Sequence, residues 1–498
     1  MPKMRTLLVV CALVGASCAA RTTTARVSPV ELARAQTLAA AGCYSCLVEA
    51  LAIYEKAGAR RAAFETALFV VLREKELGIP EDAALAKART LAAALGPDAV
   101  LLAELADLTQ GEPTGQDPDK SALRNTGQRR TRIASLRPML DTAAPSLLAS
   151  YLKVSFDCND PYARPLVNAA ALVGAHGDAP LLKYRMSMCG IGGRGWLDAI
   201  RDSDARWSEI AFFQARRAAS ARPPNLRGAL DLFAIAVPAF PTSAAMVLAR
   251  AHAERAYGDL EPALTSYDQT MALVPTNRDA LLGRVITLSY LERHAEAIRT
   301  ATRMIELGTW LMGDAYYWRA RGRYVLKMID EAWSDAENAL TLAPNTNVYT
   351  LAGVIAYDRK DLDVAKDRFD NARRLDQGNC TAHSYFALVE AAQNNWPAAT
   401  PVFSHAMTCF VQAIAQIRRD ITELEATEFD PVYKGRLIAD QQKTLKESEL
   451  KAAQAGYNAA QGFLRAGKHS EAAAHLQIAL DHPELQTQAA TLSKLIHR

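Results

Sequence analysis

The chain has 498 residues, of which 50% are hydrophobic, with 57 basic and 54 acidic side chains. This length is ample for a large buried core and exceeds the roughly 100 to 200 residues of an ordinary single domain. Because the two kinds of charge nearly balance, the chain lacks the basic excess of nucleic-acid-binding proteins, and we expect no nucleic-acid partner.

The first 17 residues have the pattern of an export signal. Lys3 and Arg5 supply positive charge, residues 6–16 are uncharged and largely apolar, and small residues precede Cys18. This pattern resembles a bacterial lipoprotein signal, which implies cleavage before Cys18 and lipid attachment to it. The apolar run is shorter than the roughly 20 residues of a membrane-spanning helix. Residues 18–28 would then form a polar tether.

The residue after Cys18 bears on the destination. Ala19 stands where Asp would favour retention in the inner membrane, so we expect an outer-membrane lipoprotein facing the periplasm. Ordinary secretory cleavage near Ala19 or Ala20 is the alternative, because Gly15 is less usual than Leu at its position.

Six further cysteines, an even number, favour disulfides in an exported protein. They are Cys43, Cys46, Cys158, Cys189, Cys380 and Cys409. The pairs 158/189 and 380/409 are separated by slightly less than one repeat of the array described below. In an antiparallel helical hairpin the start of the first helix lies beside the end of the second. The spacing of Cys380 and Cys409 therefore suits a disulfide bond across the open end of one hairpin.

The C-x-x-C pair of Cys43 and Cys46 has a functional and a structural interpretation. It could exchange disulfides, or it could be a structural bridge at a helix start. No strand-helix context of a thioredoxin-like fold surrounds it, so the structural bridge is favoured. Leu47 stands where haem attachment requires His, and no second ligand pair is present for zinc. We therefore expect no metal and no cofactor.

The segments before the array are helical but uneven. Residues 29–109 are predicted to form N-terminal helical hairpins, since Ala50, Tyr54 and Ala57 lie on one helix face. Residues 110–132 are rich in Gly, Pro, Asp and Arg and predict a linker. Residues 133–222 predict degenerate helical repeats. The glycine-rich run near 190–195 lacks the Lys-Ser/Thr of a phosphate-binding loop and indicates a turn.

From residue 223 to 411 one short phrase recurs every 33 to 35 residues. Each copy is anchored on an alanine: Ala229, Ala263, Ala297, Ala332, Ala365 and Ala399. A period held over six copies indicates a stack of like units, each of which buries its apolar face against its neighbours.

The residues around these alanines resemble the tetratricopeptide repeat. With the anchor at position 20 of a unit, position 24 is aromatic or small (Phe233, Tyr267, Ala301, Ala336, Phe369, Phe403). Position 8 is small in most units, and Pro241, Pro275 and Pro344 occupy position 32. Small residues let paired helices approach, and Pro ends the second helix. The expected fold is all-α, an α-solenoid of tetratricopeptide-like helical hairpins.

The resemblance implies a concave groove lined by the first helix of each unit. Family positions 2, 5, 9, 12 and 13 face it, and here they include His252, Arg255, Asp279, Tyr290, Asp314, Tyr317, Arg321, Tyr324, Asn347, Tyr357 and Asp358. Tyrosines offer rigid contact area, and arginine can pair with carboxylates, so a peptide-binding surface is predicted. The alternative is an ordinary solvated face. Arg250, Arg284 and Arg319 recur at position 7, where packing between hairpins explains them better than binding.

Beyond residue 411 the spacing stretches. Residues 412–498 are predicted to contain elongated helices, a last repeat at Ala472 and a polar helix that caps the stack.

No catalytic motif was found. There is no G-x-S-x-G, H-E-x-x-H or Walker sequence. The leading hypothesis is a non-enzymatic scaffold, tethered by lipid in the bacterial envelope, that binds an envelope protein or peptide. The alternatives are an accessory or enzymatic role in envelope biogenesis, with a site hidden in the degenerate region, and thiol-disulfide exchange at the C-x-x-C pair.

Overall fold

The computed structural model describes residues 27–80, 82–109, 131–136, 138, 140, 146–158, 175–176, 179–189, 195–308 and 310–497, without the side chains of 157 and 158. The predicted signal peptide, most of the tether, nearly all of the linker and residues 190–194 lie outside them. Within these ranges the regular elements are helices and no strand occurs. The all-α prediction is therefore confirmed.

The N-terminal part consists of helices, the first five of which pack each on the next. Ser28 begins the first one through a capping box with Glu31, and Gly78 ends the third with φ 62°. Their bounds are α1 Pro29–Ala41, α2 Tyr44–Lys56, α3 Arg60–Leu77, α4 Asp82–Leu95, α5 Pro97–Leu108, α6 Leu147–Cys158, α7 Pro180–Met188, α8 Trp196–Ser203 and α9 Glu209–Ala219.

The central array is a series of paired helices of nearly equal length, each packed on the next. Their bounds are α10 Leu226–Ala239, α11 Ala244–Tyr257, α12 Leu260–Leu273, α13 Arg278–Tyr290, α14 His294–Glu306, α15 Met312–Val325, α16 Ile329–Leu342, α17 Thr346–Asp358, α18 Leu362–Leu375 and α19 Cys380–Ala392. This is the predicted α-solenoid of tetratricopeptide-like hairpins.

Local sequence determines where the hairpins begin and where they turn. Side chains of Ser243, Asn277, Asn345 and Asn379 accept a hydrogen bond from the backbone N–H three residues on, which caps the first helix of four units. Each hairpin then turns through one residue with φ between 58° and 92°, at Gly258, Glu292, Lys327, Lys360 and Asn394. We number these helix pairs as units one to five, beginning with α11 and α12. Position 15 of all five is thus left-handed, although only the first of them has glycine there.

The anchoring alanines are the buried centres of the units. All six have no exposed surface, and the residues at position 24 are at most 1% exposed. Gly353 shows why position 8 must be small, because a Cβ added there would lie 2.6 Å from the Phe369 ring. The predicted register of the repeat is confirmed at these positions.

The core does not divide at the predicted segment boundaries. One hydrophobic cluster runs from Ala35 to Ala253 and joins the N-terminal helices, the degenerate region and the first units of the array. The Ser243 hydroxyl also donates to the carbonyl of Leu77, and Gly78 lies against Ala245. The array is therefore continuous with what precedes it.

The C-terminal part is dominated by two long helices. α20 (Trp396–Ala426) starts as the second helix of the fifth unit and continues without a break, so the predicted boundary at 411/412 falls inside it. α21 (Pro431–Arg465) returns antiparallel, and α22 (His469–Leu480) and α23 (Gln486–Ile496) follow. Among the described helices, none is long and apolar enough to cross a membrane.

Candidate functional site

The predicted groove residues stand on four successive first helices, α11, α13, α15 and α17. Their exposure differs. Exposed members are Tyr290, Asp314, Arg321, Asn347 and Asp358, and half-buried members are His252, Arg255, Asp279, Tyr317, Tyr324 and Tyr357.

In the first unit the two predicted residues are held by an internal contact. His252 Nδ1 and Arg255 Nε lie 2.9 and 3.1 Å from the Tyr267 hydroxyl. Burial lowers the pKa of His252 to about 4, and the Arg255 charge acts in the same direction. The imidazole is therefore neutral at pH 7, and its Nδ1 shares a hydrogen bond with the Tyr267 hydroxyl. At this end of the predicted groove the side chains form a packed polar cluster.

The second and third units together form an aromatic surface. Tyr290 is 61% exposed, and Tyr317 packs edge-on against Trp318 with ring centroids 5.4 Å apart. The Arg321 guanidinium lies 5.1 Å from the centroid of the Trp318 ring. Burial raises the pKa of Tyr317. The Arg321 charge lowers this pKa and Tyr290 raises it, so the three side chains interact electrostatically. We call Tyr290, Tyr317, Trp318 and Arg321 the aromatic patch.

Arg321 differs from most arginines of the array. Arg319 and Arg323, two residues away on either side, both pair with Asp335 at 2.7 Å. Among the described residues Arg321 has no ion-pair partner, and its side chain is exposed. Asp314, one helical turn before Tyr317 on the same helix, is also exposed, and partial burial raises its pKa. The patch therefore offers a free cation and a carboxylate beside aromatic rings.

The third to fifth units continue the row of tyrosines. The Tyr324 hydroxyl donates to Asp358 at 2.7 Å, which links neighbouring units. Tyr357 packs edge-on against Tyr385 at 6.0 Å, and Tyr385 stacks on Phe369 at 5.3 Å. Sequence reasoning missed Tyr385, because it stands at position 6 of its unit. No periodic signal could have identified it.

The arginines at position 7 are structural. Arg284 on α13 reaches Asp268 on α12 and Thr300 on α14, and Arg319 on α15 reaches Thr302 on α14 as well as Asp335 on α16. The packing interpretation is confirmed for these two. In the part of the chain that the structure describes, Arg250 contacts only its own hairpin, through Ser266, Gln269 and Glu254.

The elongated helices predicted beyond residue 411 are α20, which begins earlier within the array, and α21; together they form a long hairpin, which we call the arm. At 31 and 35 residues, its helices are about 46 and 52 Å long. Its tip returns to the turn between α11 and α12, more than 170 residues earlier. Array and arm therefore form a closed ring of contacts.

The contact at the tip of the arm, which we call the latch, is mostly polar. Arg436 donates to the Tyr257 carbonyl at 2.6 Å and to Asp259 at 2.9 Å. The Tyr257 hydroxyl donates to Asp430 at 3.1 Å, and its ring stacks on Tyr433 at 5.8 Å. The Arg436 and Asp259 side chains remain 41% and 33% exposed. Such a contact holds the arm in place. Because its charges are half-exposed, breaking it costs little free energy.

The cysteines bear on the alternative of disulfide exchange. Cys43 and Cys46 are bonded to each other at the start of α2, with Cα atoms 5.0 Å apart and exposures of 0% and 1%. Cys380 and Cys409 are also bonded, with a Cα distance of 5.5 Å. Cys189 is in a disulfide, and the side chain of Cys158 lies outside the described residues. A buried C-x-x-C pair favours the structural role.

The degenerate region contains a buried network of charges. Arg73, with no exposed surface, pairs with Glu76 at 2.8 Å and with the equally buried Glu209 at 2.7 Å. Arg185 pairs with Glu76 at 3.1 Å, and Tyr151 donates to the same carboxylate at 2.7 Å. The charges compensate one another inside the core. This network joins α3 of the N-terminal helices to α6, α7 and α9 of the degenerate region.

Among the residues that the structure describes, no group of three or more His, Cys, Asp or Glu side chains is arranged to hold a metal ion.

No protein-family model and no curated protein matches the sequence. Solved structures with similar repeats include YrrB, a tetratricopeptide-repeat protein with an unusual peptide-binding site. It is 21% identical, with 36% of this chain and 91% of that chain covered and a TM-score of 0.32. A tetratricopeptide-repeat protein from Parabacteroides merdae is 14% identical, with 58% and 99% covered and a TM-score of 0.36.

A third similar structure is the Cut9–Hcn1 hetero-tetramer of the APC/C. It is 12% identical, with 91% of this chain and 76% of that chain covered and a TM-score of 0.39. The fold assignment rests on the helical repeat itself.

Proposed function

We propose that the chain is a non-enzymatic scaffold that binds an extended segment of a protein partner in the concave groove of its array. The observation that carries this proposal is the aromatic patch with its unpaired cation, Arg321. Exposed tyrosine rings supply contact area at small entropic cost, and a free guanidinium can take a carboxylate in bidentate geometry.

The neighbouring side chains suit the backbone of an extended ligand. Asp314 and Asn347 are exposed on adjacent first helices, and their oxygens can accept hydrogen bonds from ligand N–H groups. The packed cluster at His252 bounds the groove at one end. The tip of the arm contacts the turn of the first unit, beside the same end of the array.

The second part of the proposal concerns location. We propose that a lipid on Cys18 tethers the scaffold to the outer membrane, facing the periplasm, and that the partner is an envelope protein or peptide. The signal-like N-terminus supports this, as do the disulfides, which need an oxidising compartment. Expression in a Gram-negative host, with mass spectrometry of the N-terminal peptide, should find an acylated Cys18. Cys18→Ser should release the chain from membranes, and an unmodified Cys18 would contradict the tether.

The groove is tested without knowledge of the natural partner. A random peptide library displayed on phage is selected against the full mature chain, and the dissociation constants of selected peptides are measured for variants. Arg321→Glu and Tyr317→Ala should each weaken binding by tenfold or more, since buried Tyr and Arg contacts dominate such interfaces.

The matched control is Arg299→Glu on α14, a second helix, where the side chain is 71% exposed. It makes the same charge change away from the groove and should leave binding unchanged. Peptides that bind both Arg321→Glu and wild type equally would refute the groove proposal.

A further inference from the structure

A cavity of about 460 Å³ lies where the first turns of α20 meet the end of α21. Its lining includes Trp396, Pro397, Pro401, Phe463, Arg465 and Lys468. The two helices touch at Gly462, where an added Cβ would collide with the Thr400 side chain. Two aromatic rings and two prolines form the apolar wall of the cavity beside this contact.

The charge of the cavity is entirely positive. Arg465 and Lys468 both line it, and no carboxylate does. Within the described part of the chain neither forms an ion pair, whereas Arg359, Arg368 and Arg373 of the array all do. Both side chains are exposed, so two cations without a carboxylate partner are available to an anion that enters the cavity.

The cations are already positioned. The Arg465 guanidinium stacks on Trp396, 4.4 Å from the ring centroid, and the Lys468 ammonium lies 5.9 Å from the centroid of Phe463. Stacking fixes the plane of the guanidinium, so that its remaining N–H groups can meet a planar, two-oxygen anion. The Thr400 hydroxyl is occupied, because it donates to the Trp396 carbonyl at 2.7 Å. The cavity thus presents two cationic donors and apolar walls.

We propose that this cavity is a second binding site, separate from the groove, for a carboxylate carried on an apolar body of one or two residues' size. The carboxylate pairs with Arg465 and Lys468, and the apolar body lies between Trp396, Phe463 and the prolines. Inorganic anions lack the apolar part and should bind poorly. The site is independent of the aromatic patch and does not rest on the groove proposal.

The test uses the full mature chain with 5-fluorotryptophan and ¹⁹F NMR. The Trp396 resonance is the one missing from the spectrum of Trp396→Phe. The probes are N-acetyl-Leu-Phe as the free acid, the same peptide as the C-terminal amide, 3-phenylpropionate and inorganic phosphate. The free-acid peptide should shift the Trp396 resonance saturably, and the amide and phosphate should not. Tighter binding of the free-acid peptide than of 3-phenylpropionate indicates that the ligand is the C-terminus of a polypeptide, and the reverse order indicates a small free acid. Either result supports the site.

Variants of the two cations test their contribution to binding, and a variant outside the cavity controls for general effects on the fold. Arg465→Gln and Lys468→Gln should each weaken acid binding about tenfold, the loss expected for one charge-assisted hydrogen bond. Lys446→Gln, an exposed position on the same helix outside the cavity, should change nothing. Equal binding of acid and amide, binding of phosphate alone, or insensitivity to both cation variants would overturn the proposal.

Discussion

The latch between the arm and the first unit predicts a measurable opening when Arg436 is removed. Arg436→Ala deletes a hydrogen bond to the Tyr257 carbonyl, an ion pair with Asp259 and a guanidinium 4.9 Å from the Tyr257 ring centroid. A half-exposed ion pair contributes about 0.2 to 1 kcal/mol, and the hydrogen bond and cation-π contact about 0.5 to 1 each. The sum, roughly 1 to 3 kcal/mol, shifts the ratio of open to closed arm by about five- to 150-fold.

Pulsed electron resonance between two spin labels measures that ratio. Labels attached through unnatural amino acids at Thr265 on α12 and Lys443 on α21, both exposed, report the separation of arm and array. Wild type should give one narrow distance, and Arg436→Ala should add a longer, broader one. Arg418→Ala breaks the ion pair with Glu449 inside the arm and is the control. Identical distributions for Arg436→Ala and wild type, or equal broadening in the control, would refute the latch.

Three further predictions concern stability. Arg73→Met should lower the free energy of unfolding by about 3 to 5 kcal/mol in chemical denaturation, because it leaves the buried Glu209 without its cation, and adding Glu209→Gln should restore part of the loss. If the double variant is no more stable than the single one, the buried charge is not the cause. Glu292→Gly should raise stability by about 0.5 to 1 kcal/mol, since it relieves a left-handed residue, whereas Lys446→Gly inside a helix should lower it by a similar amount. A loss in both would contradict the turn geometry. The pKa of His252 falls from 6.5 to about 4 on folding, so between these pH values the unfolded chain binds more protons than the folded one. The contribution of neutral His252 to the free energy of unfolding is therefore complete above pH 6.5 and is lost as the pH falls toward 4. The loss amounts to at most about 3 kcal/mol at about 1.4 per pKa unit, and His252→Gln should flatten this part of the profile of unfolding free energy against pH; an unchanged slope would exclude His252 as its source.

The parts of the fold that could be predicted from the sequence are those that depend on its local periodicity. An alanine such as Ala263 is buried because each unit repeats the same helix pairing, so spacing alone identifies it. The Cys380–Cys409 bridge follows in the same way from positions within one hairpin. Neither requires knowledge of distant parts of the chain.

The features that were missed depend on distant contacts. Nothing near Phe410 marks that α20 continues, because the charged residues that follow are equally compatible with a new helix. The contact of Arg436 with Asp259 joins residues 177 apart, and no repeat encodes it. Tyr385 joins the row of tyrosines through its contacts with Tyr357 and Phe369, a side-chain orientation that position in the repeat does not specify.

The groove proposal is tested most directly by locating a bound peptide on the protein. A selected peptide is bound to chains that carry the photo-crosslinker p-benzoylphenylalanine at Tyr290, on the edge of the aromatic patch, or at Arg299 on the second helix of the same unit. The account predicts efficient cross-linking from position 290, its loss when Arg321→Glu is added, and background cross-linking from position 299. Cross-linking that is equal at the two positions, or stronger at 299, would contradict a partner in the concave groove.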